Sequence, residues 1–260
     1  LCLGRQMLKK RIIPIQLLIN NRLVKTIEFG KYRDVGNPVS SSKIYNDSDA
    51  DELIFLNINR EERSIEPLLT LIKKVSEVCF MPLSLGGGVK SIDDASKLIQ
   101  NGADKIVLNS VIYDDLDLIE KIAYKFGNQA VVASIDVRMN DSRNKYDLYS
   151  NCGRNIESVD LIDHLKLIEN QGAGEILITS IDQDGMMKGY DKNLIKIAVE
   201  NTAIPIIGAG GAGTFDHLKD VFLQTDVSAL ACGSLFNFGD NNPIRAKAFL
   251  TNYSIPFKVI

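Results

Sequence analysis

Short runs of apolar, often β-branched residues alternate along the chain with longer stretches in which apolar residues recur every three or four positions. The short runs predict buried strands and the longer stretches predict amphipathic helices. The predicted strands cover residues 11–17, 52–57, 82–85, 105–108, 130–135, 175–180, 204–207 and 228–231. The predicted helices cover residues 65–78, 92–101, 116–126, 159–171, 192–201 and 215–223.

This order predicts an α/β fold, namely a (βα)8 TIM barrel made of two homologous half-barrels, with an open doubly wound sheet as the alternative. The repeat rests on two pairs: Glu52 and Glu175 begin similar strands, and Pro82 and Pro205 precede glycine-rich turns, each pair 123 residues apart. Two matches at one separation indicate an internal duplication. We expect one domain over residues 7–260, with residues 1–6 as an extension outside the fold.

Composition excludes several function classes. The formal net charge is −3 and no basic stripe is present, which argues against a nucleic-acid partner. The apolar runs are too short to cross a membrane and no signal peptide is apparent, so a cytoplasmic location is expected. The four cysteines form no CxxC pair and the two histidines lie in polar helical stretches, so we expect neither a metal site nor a cofactor.

Each half carries a glycine-rich turn between a strand and a helix, at residues 86–88 and at residues 209–213. Glycine lets the backbone approach an anion, and N–H groups at a helix start attract phosphate. A plain tight turn is the alternative for either motif alone, but the pair predicts an elongated ligand with a phosphate at each end. For Lys25, phosphate binding, loop closure and a solvated position all remain open. The predicted ligand-binding residues are Lys25, Gly87, Gly88, Asn109, Ser110, Thr179, Gly210, Gly211, Gly233 and Ser234.

Carboxylates are expected at the mouth of the barrel. Asp136 ends the fifth predicted strand, and Asp182 and Asp184 follow the sixth. Carboxylates at strand C-termini of a barrel can serve as general acids or bases. Loop capping is the alternative for Asp182 and Asp184. The first-half counterpart of Asp136 is Leu17, 119 residues earlier, so one member of a paired acid/base site is missing.

Charged residues are also expected at the opposite end of the barrel. They occupy the N-terminal starts of the first, second, fourth and sixth predicted strands. Such positions cluster near the barrel axis, so two cations and two anions predict a closed ring of salt bridges. Buried ion pairs stabilise a protein poorly compared with apolar packing, so the ring invites a functional explanation. Its members are Arg11, Glu52, Lys105 and Glu175.

These residues carry a resemblance to the HisF family, the cyclase subunit of imidazole glycerol phosphate synthase. It runs from about residue 7 to residue 259 and covers nearly the whole barrel. The matching segments are Lys10-Arg11-Ile12-Ile13-Pro14, Gly86-Gly87-Gly88, Asn109, Ile135-Asp136, Gly172-Ala173-Gly174-Glu175-Ile176-Leu177, Thr179-Ser180-Ile181-Asp182 with Asp184-Gly185, Gly189-Tyr190-Asp191 and Gly210-Gly211-Ala212-Gly213.

The resemblance implies a HisH-type glutaminase partner on the lower face, which releases ammonia from glutamine. The ring then acts as an ammonia gate, and ammonia travels through the barrel to a bis-phosphorylated ribulosyl substrate. Imidazole glycerol phosphate and an aminoimidazole carboxamide ribonucleotide are the products. Asp104 matches a position that contacts the glutaminase, and Asp136 matches one of the two family catalytic aspartates. Leu17 stands where the family has the other.

The departures from the family pattern all lie on the upper face: Leu17, Asn57 in place of an aspartate, Gln183 in place of an arginine, and Gly233 in place of an alanine. Leucine cannot transfer a proton, and one general acid/base group is typically worth about 10²–10⁴-fold in rate. HisF-like paralogues also accompany glutaminases in surface-polysaccharide gene clusters, where they are thought to supply ammonia to a separate sugar amidotransferase.

Three hypotheses follow. The first is a synthase subunit that passes ammonia to a non-histidine acceptor. The second is an authentic histidine-pathway cyclase that uses Asp182 or Asp184 as the replacement acid. The third is a non-catalytic scaffold that activates a glutaminase. The sequence does not name the ammonia acceptor.

Overall fold

A computed structural model describes residues 9–61 and 63–258, and the expected extension at residues 1–6 lies outside them. The strands are β1 (Arg11–Ile19), β2 (Arg22–Thr26), β3 (Tyr32–Gly36), β4 (Leu53–Asn57), β5 (Leu83–Gly86), β6 (Lys105–Leu108), β7 (Val131–Asn140), β8 (Lys145–Ser150), β9 (Asn155–Glu157), β10 (Glu175–Ser180), β11 (Ile206–Ala209) and β12 (Ala229–Cys232). The helices are α1 (Pro38–Asp47), α2 (Glu66–Val75), α3 (Ile92–Gln100), α4 (Val111–Asp114), α5 (Asp117–Phe126), α6 (Leu161–Asn170), α7 (Lys192–Asn201), α8 (Phe215–Gln224), α9 (Ser234–Asn237) and α10 (Pro243–Thr251), with a 3₁₀ turn at Asn128–Ala130.

Eight parallel strands form a closed barrel. They follow the order β1, β4, β5, β6, β7, β10, β11 and β12, and β12 pairs with β1 to close it. Helices connect successive strands on the outside. The predicted (βα)8 barrel is therefore confirmed, and an open sheet is excluded by the closing pair.

Two antiparallel extensions, β1–β2–β3 and β7–β8–β9, were not predicted, and we call them the two hairpins. β1 runs on to Ile19 and pairs with β2 antiparallel, while β7 runs on to Asn140 and pairs with β8. The first hairpin turns at Asn20 and Asn21, both with positive φ, which is the geometry of a two-residue type I′ turn. β11 also begins two residues later than predicted, at Ile206. Both hairpins border the open C-terminal end of the barrel.

The two halves repeat in detail. α3 begins at Ile92 and α8 at Phe215, again 123 residues apart. The residue before each is an N-cap whose hydroxyl accepts a backbone N–H three residues on: Ser91 in the first half and Thr214 in the second. The same separation relates the short helices α4 and α9. The half-barrel repeat read from the sequence is thus present in the structure.

Two apolar layers hold the fold together. The larger lies between the barrel and its helices, where each helix buries residues at helical spacing; α2, for example, buries Leu68, Leu71, Ile72 and Val75. The smaller fills the barrel interior. Among the described helices, none combines the length and the apolarity that a bilayer crossing requires.

Candidate functional site

A cavity of about 340 Å³ opens at the C-terminal ends of the barrel strands. We call it the upper cavity. This is the end of a (βα)8 barrel where active sites are built. It brings together all of the predicted ligand-binding residues, together with Leu17, Asp136 and Asp184.

Leu17 and Asp136 occupy equivalent positions in the two half-barrels. Leu17 pairs with Leu56 on β4, and Asp136 pairs with Thr179 on β10, which is 123 residues after Leu56. Each also pairs with the antiparallel strand of its own hairpin, through Val24 and Tyr149 respectively. The alignment drawn from the sequence therefore holds in the register of the sheet, and an apolar side chain stands where symmetry places a carboxylate.

Asp136 is buried, with 8% of its surface exposed. The Asn109 side-chain amide donates to its carboxylate at 3.1 Å. Burial, followed by the nearby negative charge of Asp184, raises the pKa of Asp136 to about 7, and hydrogen bonds from Thr179 and Asn109 only partly oppose this. A carboxyl group with this pKa can both accept and donate a proton near neutral pH.

Asp184 is held by two residues of β2. The Lys25 ammonium lies 2.5 Å from one carboxylate oxygen, and the Thr26 hydroxyl donates to the other at 2.5 Å. All three side chains are buried, so the solvated position that the sequence left open for Lys25 does not occur. Asp184 is thus fixed as a paired carboxylate beside Asp136.

Asp182 is placed differently. Its carboxylate contacts the Arg138 guanidinium at 3.1 Å and accepts the backbone N–H of Met139 at 2.9 Å. It joins the loop after β10 to the extended part of β7 and is not among the residues that line the upper cavity. The structure therefore separates Asp182 from Asp136 and Asp184.

The two glycine turns have matching geometry. We call Gly87-Gly88 the first-half turn and Gly210-Gly211 the second-half turn. All four residues have φ between +85° and +109°. A Cβ on Gly87 would lie 2.0 Å from the carbonyl oxygen of Asn57, and one on Gly210 would lie 2.6 Å from that of Ser180. Only glycine fits these positions, so each turn packs closely on a neighbouring strand end, and all four glycines line the upper cavity.

The polar strand ends beside the turns are also buried. Ser110 donates to Asn109 and accepts the N–H of Asn151 at 2.9 Å. The Ser234 hydroxyl is buried and has no partner among the described residues, although it lines the cavity. Gly233 lies against the Lys25 side chain. An unpaired buried hydroxyl in a polar niche is suited to binding a ligand oxygen.

At the opposite end, the four predicted charges form a closed ring, which we call the charged ring. Arg11 lies 3.0 Å from Glu52 and 3.0 Å from Glu175. Lys105 lies 2.7 Å from Glu52 and 3.2 Å from Glu175. Ser84 donates to the second oxygen of Glu52 at 2.5 Å, and Glu52 is only 2% exposed. Each cation therefore contacts both anions.

Between the ring and the upper cavity, the barrel interior is apolar. The side chains that fill it come from alternate positions of all strands except β5, whose Ser84 sits at the level of the ring. Asp104 lies outside, exposed at the ring end, where it accepts the N–H of Leu83 at 2.8 Å. The interior cluster comprises Ile13, Ile54, Val107, Val132, Leu177, Ile207, Ala209, Ala229 and Ala231, with Ile15 and Leu56 packed against it.

Several cavity residues were not predicted. Arg60 and Arg63 come from the loop after β4, and Cys152 from the turn after β8. The pKa of the Cys152 thiol is raised by burial and by the charge of Asp136. The arginines could have been noticed as a pair on a loop that follows a barrel strand, where functional residues concentrate.

Comparison with known proteins gives two matches. The family model described as "Histidine biosynthesis protein" matches residues 11–242. The imidazole glycerol phosphate synthase subunit HisF of Staphylococcus carnosus (strain TM300) is 36% identical over 249 residues, which cover 96% of this chain and 98% of that protein. Leu17, Asp136, the charged ring and both glycine turns all lie within the residues matched by the family model.

Proposed function

The chain belongs to the histidine biosynthesis protein family as a HisF-like protein, and we propose that it is the synthase subunit of a glutamine amidotransferase complex that delivers ammonia to an acceptor outside histidine synthesis. Its partner is a HisH-type glutaminase, which converts glutamine and water into glutamate and ammonia. The acceptor chemistry is proposed to belong to a separate enzyme, such as a sugar amidotransferase.

The observation that carries this proposal is the contrast between Leu17 and the charged ring. Leu17 stands at the register position equivalent to Asp136, so the paired acid/base site lacks one proton-transferring group. The ring at the other end keeps all four charges in mutual contact. A chain with a damaged cyclase site and a complete lower end is suited to conducting ammonia rather than to cyclisation.

The barrel interior also supports transport of ammonia from the charged ring to the upper cavity. Its lining between the ring and the cavity consists of alkyl side chains. Neutral ammonia enters such surroundings far more easily than ammonium, because burying an unpaired charge is very costly. Asp136, whose pKa is about 7, lies where this path reaches the upper cavity and can exchange a proton with arriving ammonia.

The two glycine turns support a phosphorylated ligand in the upper cavity. The glycines of both turns line the cavity, and Ser234 adds a hydroxyl that has no partner among the described residues. A bound phosphorylated compound would place the acceptor or a regulator at the point where ammonia emerges.

A second candidate, an authentic cyclase, is favoured by one observation. Asp184 lines the same cavity as Asp136 and lies close enough to raise its pKa. However, Asp184 is already engaged by Lys25 and Thr26. These contacts engage both carboxylate oxygens of Asp184 and tie its side chain to β2.

The experiment combines the purified chain with a HisH-type glutaminase from the same genome. We expect a stable complex and stimulated release of glutamate from glutamine. With the phosphoribulosyl substrate and ammonium salts, we expect negligible imidazole glycerol phosphate. Charge reversal at the exposed ring-end residue, Asp104→Lys, should weaken the complex, while Asp93→Lys at the other end of the barrel should not. Strong cyclisation would establish the second candidate, and no complex would refute ammonia delivery.

A further inference from the structure

The upper cavity distributes its charges unequally between its two glycine turns. Near the first-half turn it is lined by Arg60, Arg63 and Lys90. Near the second-half turn the lining cation is Lys25, and Asp184 neutralises it at 2.5 Å. The remaining lining residues at that end are uncharged: Gly185, Ala209, Gly210, Gly211, Ala212 and Ser234.

The loop after β4, which is described at residues 57–61 and 63–64 and which we call the arginine loop, contacts the first-half turn through Asn57 and Ser64. A Cβ on Gly87 would meet the carbonyl of Asn57, and one on Gly88 would lie 2.4 Å from that of Ser64. Both ends of the loop are therefore fixed against the turn. The corresponding second-half loop, residues 180–189, carries a single cation, Lys188, which is exposed and does not line the cavity.

Arg60 is held by two backbone carbonyls, and its other N–H donors have no partner among the described residues. It donates to the carbonyl of Phe29 at 2.5 Å and contacts that of Cys152 at 3.5 Å, which uses one of its terminal nitrogens. A guanidinium has five N–H donors in a planar fork that suits oxyanions. Within residues 9–61 and 63–258, no salt bridge involves Arg60 or Arg63.

Asp114, which follows Ser110 along the chain, also lines this end of the cavity, and its negative charge offsets one of the three cations. Among the described residues that line the cavity, the first-half end therefore carries an excess of about two positive charges, whereas Lys25 and Asp184 cancel each other at the second-half end. A phosphate group carries about −1.5 to −2 charge at pH 7, which is the amount that this excess would balance.

We propose that Arg60, Arg63 and Lys90 form an anion clamp over the first-half turn, and that the cavity binds a polarised ligand with a phosphate-type dianion at that end and uncharged hydroxyl groups at the other. The dianion is either a terminal phosphate or a diphosphate diester, because both present oxygens with about the same total charge. A ligand with a phosphate at each end fits the symmetry of the turns, but a phosphate at the second-half turn would meet backbone N–H groups and the Ser234 hydroxyl without an unpaired cation among the described lining residues. This inference rests on the proposal that the cavity binds a phosphorylated ligand.

The test measures binding by calorimetry with four probes: inorganic phosphate, ribose 5-phosphate, ribulose 1,5-bisphosphate and a uridine diphosphate sugar. We expect binding of inorganic phosphate at one site per chain, and no gain in affinity from a second phosphate. The tighter of ribose 5-phosphate and the diphosphate sugar identifies the type of dianion.

Variants then show whether phosphate binding depends on the clamp residues or on the rest of the cavity. Arg63→Gln and Arg60→Gln should each weaken phosphate binding by about tenfold or more, as expected for a lost charge-assisted hydrogen bond. Arg154→Gln is the matched control, because Arg154 is exposed on the neighbouring turn and does not line the cavity; it should change the affinity by less than about twofold. Arg60→Gln removes contacts with two backbone carbonyls and could therefore loosen the loops that carry them. Arg63 makes no such contact among the described hydrogen bonds, so Arg63→Gln tests the clamp without this side effect.

Two results would overturn the clamp. The first is phosphate binding that is equally strong in the Arg60 and Arg63 variants, which would refute this inference while leaving a phosphorylated ligand in place. The second is ribulose 1,5-bisphosphate binding more than about tenfold tighter than ribose 5-phosphate, which would show two anion sites. Binding of no probe at all would refute the phosphorylated ligand itself and this inference with it.

Discussion

Lys25, on β2, places its ammonium 2.5 Å from the carboxylate of Asp184. Asp184 lines the same cavity as Asp136, in the loop after β10, and this contact occupies it. Under the proposed function, this pairing is the reason why we expect that Asp184 does not replace the carboxylate missing at Leu17. It also makes the pair itself a measurable feature of the site.

Lys25→Met should destabilise the protein strongly, because it leaves the buried charge of Asp184 without its partner. Breaking a buried pair costs about 3–5 kcal/mol in free energy of unfolding, to be measured by urea denaturation. The double variant Lys25→Met/Asp184→Asn should recover much of this loss. Equal stability of the single variant and the parent would show that the pair is not buried as described.

The pH dependence of stability should report Asp136. Folding raises the pKa of Asp136 from 3.8 to about 7, so the folded chain binds this proton more tightly than the unfolded chain does. Its stabilising contribution is complete below pH 3.8 and is lost as the pH rises towards about 7. Asp136→Asn does not titrate, so between about pH 5 and about pH 8 the parent should lose about 2–3 kcal/mol relative to that variant. Parallel stability curves would contradict the raised pKa.

Glu52→Gln should disrupt the charged ring, since Glu52 contacts both Arg11 and Lys105 and is almost fully buried. We expect a loss of about 3 kcal/mol or more in free energy of unfolding. The exposed pair of Arg22 and Asp34 provides the comparison, because Asp34→Asn should have a much smaller effect on stability in a pair that is open to solvent. Similar losses in the two variants would show that the ring is solvated.

Gly87→Ala should be far more disruptive than Gly102→Ala. Both glycines have positive φ, so both substitutions carry the left-handed penalty of about 1–2 kcal/mol. Only at Gly87 would the new Cβ also lie 2.0 Å from a carbonyl oxygen; at Gly102 the nearest atom is 3.7 Å away. Thermal unfolding of the two variants separates the clash from the backbone strain, and equal shifts in Tm would contradict the close approach at the turn.

The sequence was sufficient for features that depend on strand position. Strand starts placed Arg11 and Glu52 at one end of the barrel, and the repeat aligned Leu17 with Asp136, because the register of a parallel barrel follows from where its strands begin. It was insufficient for the hairpins. Asn20 and Asn21 do carry a turn signal, but a barrel strand is normally followed by a helix, so the pattern did not predict a hairpin there.

Side-chain partners in the cavity were also beyond reach from sequence. Asp182 and Asp184 are two residues apart and looked alike, yet one meets Arg138 from the extended β7 and the other meets Lys25 from β2. Both partners come from the unpredicted extensions. The placement of Arg60 and Arg63 likewise depends on how a loop packs against a glycine turn, which no local pattern encodes.

Restoring the missing carboxylate at residue 17 tests whether its loss is what prevents cyclisation. Imidazole glycerol phosphate formation from the phosphoribulosyl substrate and ammonium salts should be negligible for the parent chain. It should rise by about 10²-fold or more in Leu17→Asp, and it should be lost again in Leu17→Asp/Asp136→Asn. Turnover by the parent that equals or exceeds that of Leu17→Asp would contradict the account, because it would show that this barrel cyclises without an acid at residue 17.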